Sequence, residues 1–180
     1  MDNKKLLKFE IFSILFIWIV GTLLHFTFEW SNEYCFVAAF SAVNESTWEH
    51  LKLVFFPMLI TSIVEYFIIG REIPNYWCAR MLGIISAIGF ITIFFYTYTG
   101  IIGTNYAVLD IGSFFVGSLI GEKVAYRCVI KKKYCNNYCS IISIIILLLA
   151  FIIFTYYPPK INCFKDPIYS QYGITKEKTK

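Results

Sequence analysis

The side chains that could do chemistry in this chain are two histidines and several carboxylates at the edges of apolar segments. His25 and Glu29 are four residues apart, so on a helix they share one face. Imidazole and carboxylate groups are ligands of divalent cations such as zinc. We therefore expect a binding site built from Asn44, Glu45, Glu49, His50, His25, Glu29 and Asp110.

Asp110 is the third member of the predicted metal set. It lies about one and a half turns inside an apolar segment, where an ionised group is costly unless it faces a partner or water. We expect a divalent metal ion such as zinc to be held by His25, His50 and Asp110. The same groups could instead relay a proton or bind a solute. The chain contains no spacing as tight as His-Glu-x-x-His, so no catalytic residue is assigned.

Some of these groups also have a structural interpretation. Ser46 and Glu49 fit a capping box, in which the serine hydroxyl accepts from the amide of residue 49 and the glutamate carboxylate accepts from the amide of residue 46. His25 and Glu29 could equally be an interfacial pair beside Trp30, an aromatic anchor at headgroup level. Both alternatives stay open from the sequence.

The segments that carry these residues are typical of a membrane protein. Hydrophobic residues other than Gly form 58% of the sequence, which exceeds the share in soluble domains. An apolar helix of roughly 20 residues crosses a bilayer. We therefore predict an all-α, polytopic transmembrane bundle that forms a single domain over residues 1–180. About five spans are expected, at residues 9–28, 47–70, 77–99, 105–121 and 140–157.

The third and fourth spans are predicted to form a hairpin. The uncharged run over residues 81–109 is too long for one crossing and contains Gly103 near its middle. Small residues recur every four positions in both spans, for example at Gly83 and Ala87 and at Gly117 and Gly121. Such residues let helices approach closely in lipid, so this pattern predicts helix packing.

Basic residues predict the orientation of the bundle, because lysine and arginine in short loops accumulate on the cytoplasmic side. With five spans, the N-terminus is cytoplasmic, the C-terminus is outside and the protein lies in a bacterial cell membrane. An outer loop then covers residues 29–46, and a basic cytoplasmic loop covers residues 122–139. The basic loop is expected to contact anionic lipid headgroups, and nucleic acid is not an expected partner.

The six cysteines do not form an obvious framework. Cys78 and Cys135, with two other cysteines, fall on the predicted cytoplasmic side, where thiols usually stay reduced. Cys35 and Cys163 could meet on the outer side.

Two further segments are predicted to cover the outer face. Residues 34–43 are apolar but too short to span a bilayer, which indicates a re-entrant or interfacial segment. The tail at 158–180 contains turn signals and the apolar Phe164, so we expect an ordered lid that ends in a disordered stretch from Thr175.

The chain resembles an uncharacterised family of small bacterial multipass membrane proteins, classed as a domain of unknown function. The resemblance spans nearly the whole chain and implies the membrane architecture, but it implies no activity. It is carried by Gly21, His25, Glu29-Trp30, the runs at 40–46 and 48–52, Pro158-Pro159, Phe164-x-Asp166-Pro167 and Tyr172-Gly173-Ile174.

Two classes of function fit these observations. The first is a membrane protein that binds, senses or conducts a small ion or solute through the outer polar cluster, with Asp110 and Glu65 as inner steps. Transport through five short spans would require a homo-oligomer. The second is an intramembrane metal-dependent hydrolase or transferase that acts on a lipid or headgroup, with a carboxylate as general base.

Overall fold

The computed structural model describes residues 3–131 and 135–174. The predicted all-α class is confirmed over this part of the chain, where the regular structure is almost entirely helical. Lys132 and Lys133 of the predicted basic loop, and residues 175–180 of the tail, lie outside the described residues. The helices are α1 (Asn3–Trp30), α2 (Cys35–Ala38), α3 (Thr47–Ile68), α4 (Tyr76–Ile102), α5 (Ala107–Ile130) and α6 (Asn137–Tyr156).

Four of these helices, α1, α3, α4 and α6, are long and apolar enough to cross a membrane. Large apolar side chains face outward along them, including Ile19, Ile93 and Ile146. Water would not favour such a surface, whereas lipid does, so the fold is consistent with a helical membrane bundle. The 24-residue helix α5 is more polar and is not one of the four. The fifth crossing therefore stays a prediction.

The hairpin of α4 and α5 has the predicted form. Gly103 ends α4 with a φ of 85°, a left-handed conformation that favours glycine. The predicted small residues meet between the helices, since a Cβ atom added to Gly83 would lie 2.7 Å from the carbonyl oxygen of Gly121. The helix α5 continues to Ile130, so much of the segment predicted as a basic loop is helical.

The loop between α1 and α3 packs against the end of α1. Its re-entrant or interfacial position stays a prediction. The short helix α2 is followed by Ser41, which is fully buried. The Ser41 hydroxyl accepts a hydrogen bond of 3.0 Å from the amide of Phe28 and donates one of 2.5 Å to the carbonyl of Leu24. These bonds fix the loop close to His25.

The described part of the tail, residues 158–174, folds back onto α3. A 3-10 turn at Asn162–Phe164 places the buried Phe164 ring against Trp48, with ring centroids 4.7 Å apart. An isolated bridge joins Lys165 to Tyr172. The lid predicted from the turn signals therefore has a defined contact surface.

An apolar core separates two polar ends of the bundle. Ile17, Val54, Phe55 and Met58 are fully buried in its middle. We call the end with the C-terminus of α1, the N-terminus of α3 and the tail the loop end. We call the opposite end, where α1 and α4 begin and α3 and α5 end, the basic end.

Cys78 and Cys135 lie against each other at the basic end, with Cα atoms 5.8 Å apart, a separation that a disulfide can span. The reduced state of both thiols stays a prediction. The two residues meet because the Asn137 side chain accepts from the amide of Cys78 and donates to the carbonyl of Pro74, which brings the connection before α6 onto α4. Cys35 and Cys163 are free thiols and do not pair with each other.

Candidate metal site at the loop end

The start of α3 places His50 on the first turn of a capped helix. The Ser46 hydroxyl accepts a hydrogen bond of 3.4 Å from the amide of Glu49, which is the predicted cap. The return bond of the capping box does not form, because the amide of Ser46 donates to the side chain of Asn44 at 2.9 Å. One of the two hydrogen bonds of the predicted capping box is therefore present.

Glu49 turns instead into the bundle, where it pairs with Lys52 at 2.5 Å. Both side chains are buried, and Thr155 lies between them in hydrogen-bonding distance of each. The amide of Val43 also donates to the Glu49 carboxylate, and the Lys52 ammonium donates to the carbonyl of Ala38. Glu49 is thus a structural group that joins α3, α6 and the outer loop, and it lies apart from the histidines.

His25, Glu45 and His50 come together at the loop end. One ligand atom from each of these residues lies within 4.8 Å of the other two. His50 Nε2 is 3.4 Å from one carboxylate oxygen of Glu45, and His25 Nε2 is 3.8 Å from the other. The two imidazole rings are 5.2 Å apart between centroids. Three of the seven residues predicted to form the binding site therefore lie together.

The hydrogen bond between His50 and Ser46 determines which ring nitrogen carries the proton and which one faces Glu45. His50 Nδ1 lies 2.9 Å from the backbone carbonyl of Ser46, which can only accept, so Nδ1 carries a proton. In the neutral ring, Nε2 then has a lone pair directed at the Glu45 carboxylate. Two acceptors face each other, and either a second proton on the ring or a cation between them resolves the repulsion.

The three side chains of the site are partly exposed to solvent, and Glu45 gives the site its negative charge. The side chains of His25, His50 and Glu45 are 31%, 33% and 42% exposed. Once His50 carries a second proton, its hydrogen bond lowers the pKa of the Glu45 carboxyl, and the nearby imidazoles add to this effect while partial burial opposes it. Glu45 therefore stays ionised in neutral solution.

These three groups fit a metal ion by type and spacing. Two ligands of a tetrahedral zinc ion, each about 2.1 Å from the metal, are roughly 3.4 Å apart. The distance between His50 and Glu45 equals this value. The three ligand atoms lie within 4.8 Å of one another, so closing on one ion requires the side chains to move closer together. The bond from His50 Nδ1 to the Ser46 carbonyl also orients the ring in the manner of an outer-shell partner. Open sides remain for water or another ligand.

The remaining predicted residues lie near the site but are engaged elsewhere. Asp110 accepts hydrogen bonds from the hydroxyl of Tyr98 and from the side chain of Asn105. The carboxylate that lies with the two histidines is therefore that of Glu45 rather than that of Asp110. Asp110 is close enough to His50 for an electrostatic interaction. Glu29 is exposed one turn beyond His25. It is not in the three-residue group.

The tail supports the segment that carries Glu45. Asp166 is buried and accepts a 3.4 Å hydrogen bond from the amide of Glu45. Asn44 donates a 2.8 Å hydrogen bond to the carbonyl of Gly173. Asp166 was not among the predicted site residues. Its only sequence signal is the Asp-Pro turn, which does not reveal a contact made with a residue 121 positions earlier.

The fold and this site define an all-helical bundle with four apolar candidate spans and a histidine–carboxylate cluster at one end. The chain belongs to a family of unknown function, DUF6512, whose model matches residues 1–174. This match confirms the predicted resemblance. The chain matches no curated protein and no solved structure.

Proposed function

We propose that this protein is a membrane protein that binds a divalent transition-metal ion such as zinc at its loop end. His25, Glu45 and His50 supply the protein ligands, and the open side of the site accepts water or a transient ligand. The observation that carries the proposal is the convergence of His25, Glu45 and His50, whose ligand atoms lie within 4.8 Å of one another. A cation among them would bind the Glu45 carboxylate and the ring nitrogens together.

Binding or sensing fits the structure better than conduction. The route predicted through Asp110 and Glu65 would cross the apolar core, where Ile17, Val54 and Phe55 are fully buried. An ion is strongly disfavoured in such a layer unless polar groups replace its hydration shell. The metal site therefore exchanges its ion with one side of the membrane. We place that side outside, because the basic residues gather at the other end.

The basic end is proposed to contact anionic lipid headgroups. Lys123, Arg127 and Lys131 are exposed at the end of α5. Each basic residue near such a surface contributes about 1 kcal/mol of attraction. This contact would hold the bundle in the proposed orientation.

A metal-dependent hydrolase or transferase is the second candidate function. It is favoured by the number of ligands, since two histidines and one glutamate with an open position are typical of catalytic zinc sites. A bound metal would acidify a water at this position. The exposed aromatic residues Phe26 and Trp30 beside it support a position near lipid headgroups. Zinc-dependent release of a headgroup from phospholipid vesicles would support the enzyme, and its absence in protein that binds zinc would exclude it for the lipids used.

The proposed function is tested by zinc binding to the purified full chain in detergent, measured by isothermal titration calorimetry. We expect one zinc ion per chain. His25→Ala, Glu45→Gln and His50→Ala should each weaken binding by at least about 100-fold, since loss of an outer-shell partner alone costs 10–100-fold. Glu29→Gln is the matched control, because it removes an exposed carboxylate one turn from His25. Equal affinity in all four variants would contradict the proposal.

A further inference from the structure

The basic end contains a buried group of three carboxylates around one arginine, far from the metal site. Arg80 of α4 faces Glu10 of α1, Glu65 of α3 and Glu122 of α5. The four side chains are between 1% and 6% exposed. Glu10 precedes His25 by fifteen residues on α1, and Glu65 follows His50 by fifteen on α3. The two sites are thus roughly 20 Å apart along the bundle.

The three carboxylates are not equivalent partners of Arg80. Glu122 pairs through both oxygens, at 2.8 and 2.9 Å, which is the strong bidentate geometry. Glu10 reaches only one guanidinium nitrogen, at 3.3 and 3.5 Å. Glu65 uses one oxygen, which lies 3.4 Å from Arg80 and 3.0 Å from the Tyr76 hydroxyl, whose one proton also faces the carbonyl of Ser62 at 2.5 Å.

The second oxygen of Glu65 has no hydrogen-bond partner among the described residues, although it is buried. An ionised carboxylate oxygen in this position would carry charge with no donor among the described side chains to stabilise it. A proton on this carboxyl removes the charge and leaves the contacts with Tyr76 and Arg80 in place. The unpartnered atom therefore favours the protonated form of Glu65.

The charge of the group points to the same ligand. With all three carboxylates ionised, one guanidinium would leave a net charge of −2 inside the bundle. The titratable groups that face one another here from α1, α3, α4 and α5 are Glu10, Glu65, Tyr76, Arg80 and Glu122. Arg80 is the cation of this set. Two bound protons would bring the net charge of the group to zero, with Glu122 as the one carboxylate that stays ionised.

We propose that Glu65 and Glu10 form a buried proton-binding site at the basic end, in which Arg80 and Glu122 are the permanent ion pair. Glu10 is the most exposed of the three carboxyls, so it exchanges its proton with the solution first. The site is independent of the metal ligands. It gives the bundle a charge that depends on the pH at the basic end.

The test is infrared spectroscopy of the full chain in lipid, with ¹³C-labelled glutamate to identify the signals. At neutral pH we expect a protonated glutamic acid carbonyl band that shifts with the label and disappears at high pH. Glu65→Gln and Glu10→Gln should each remove part of it. Glu72→Gln, which changes an exposed glutamate at the same end, should leave it unchanged.

Three outcomes would overturn the proposal. The first is the absence of a protonated glutamic acid band from the wild-type protein at neutral pH, which needs no variant to fold. The second is a band that disappears when sodium replaces a bulky organic cation at constant pH, because the cluster would then hold a metal cation. Persistence of the full band in both glutamine variants would likewise place the protons elsewhere.

Discussion

Asp166 in the tail accepts a hydrogen bond from the backbone amide of Glu45. The tail therefore positions Glu45, one of the three proposed metal ligands. The other Asp166 oxygen accepts from the amides of Ile168 and Tyr169 at 2.7 and 3.1 Å. One buried carboxylate therefore shapes the tail and positions the loop. Through this contact, the tail positions a metal ligand at the loop end of the bundle.

Asp166→Asn should weaken zinc binding by about tenfold, the lower range for an outer-shell partner. The amide oxygen can keep the bonds to residues 168 and 169, while the amide NH₂ meets the N–H of Glu45 as a second donor. Tyr169→Phe is the control, because Tyr169 contributes its backbone amide to Asp166. Calorimetry would show the effect, and identical zinc affinities for Asp166→Asn and the control would argue against positioning by the tail.

Zinc affinity should fall as the pH is lowered, because protons compete with the metal for both imidazoles. Once both imidazoles are protonated in the metal-free protein, affinity should drop by about 100-fold per pH unit. Glu45 does not contribute there, since its lowered pKa keeps it ionised. A titration at several pH values measures this slope, and a pH-independent affinity would exclude the histidines as ligands.

Lys52→Met should destabilise the bundle by about 3–5 kcal/mol, because it leaves the buried Glu49 carboxylate without its ion partner. The double variant Glu49→Gln with Lys52→Met should recover part of this loss, since no charge then remains buried. Equilibrium unfolding in mixed micelles measures both values. A loss below about 1 kcal/mol in the single variant would show that the pair is not shielded from water.

Gly83→Ala should cost about 1–3 kcal/mol by forcing α4 and α5 apart, since the added Cβ would meet the Gly121 carbonyl at 2.7 Å. Gly89→Ala is the matched control on the same helix, because nothing lies within 4 Å of its added Cβ. The same unfolding assay compares them. Equal stability of the two variants would contradict the close packing of the hairpin.

The sequence predicted the elements of the fold because local patterns determine them. Apolar runs located the long helices, and the spacing of Gly83 and Gly121 located a real helix contact. The predicted fourth span ended at residue 121, whereas the helix α5 continues for nine more residues, to residue 130. Lys123 and Arg127 were interpreted as loop residues, whereas they lie on the exposed side of a helix that continues.

The candidate site was predicted only in part because its contacts join distant segments. His25, His50 and Glu45 were all named, but the carboxylate expected at the metal was Asp110. The partner of Asp110, Tyr98, lies on another helix and gave no signal in the sequence. The same holds for Lys52 with Glu49, and for Arg80, whose partners come from three other helices. Ionisable residues inside apolar segments mark such positions but do not identify the pairs.

The central claim is most directly tested by X-ray absorption spectroscopy of the zinc-loaded protein at the zinc edge. We expect nitrogen and oxygen ligands at about 2.0–2.2 Å, including two imidazoles. His50→Ala should reduce the imidazole count to one, or abolish binding altogether. Sulfur ligands at about 2.3 Å would place the metal on cysteines, and that result, or a wild-type protein that retains no zinc, would contradict the site.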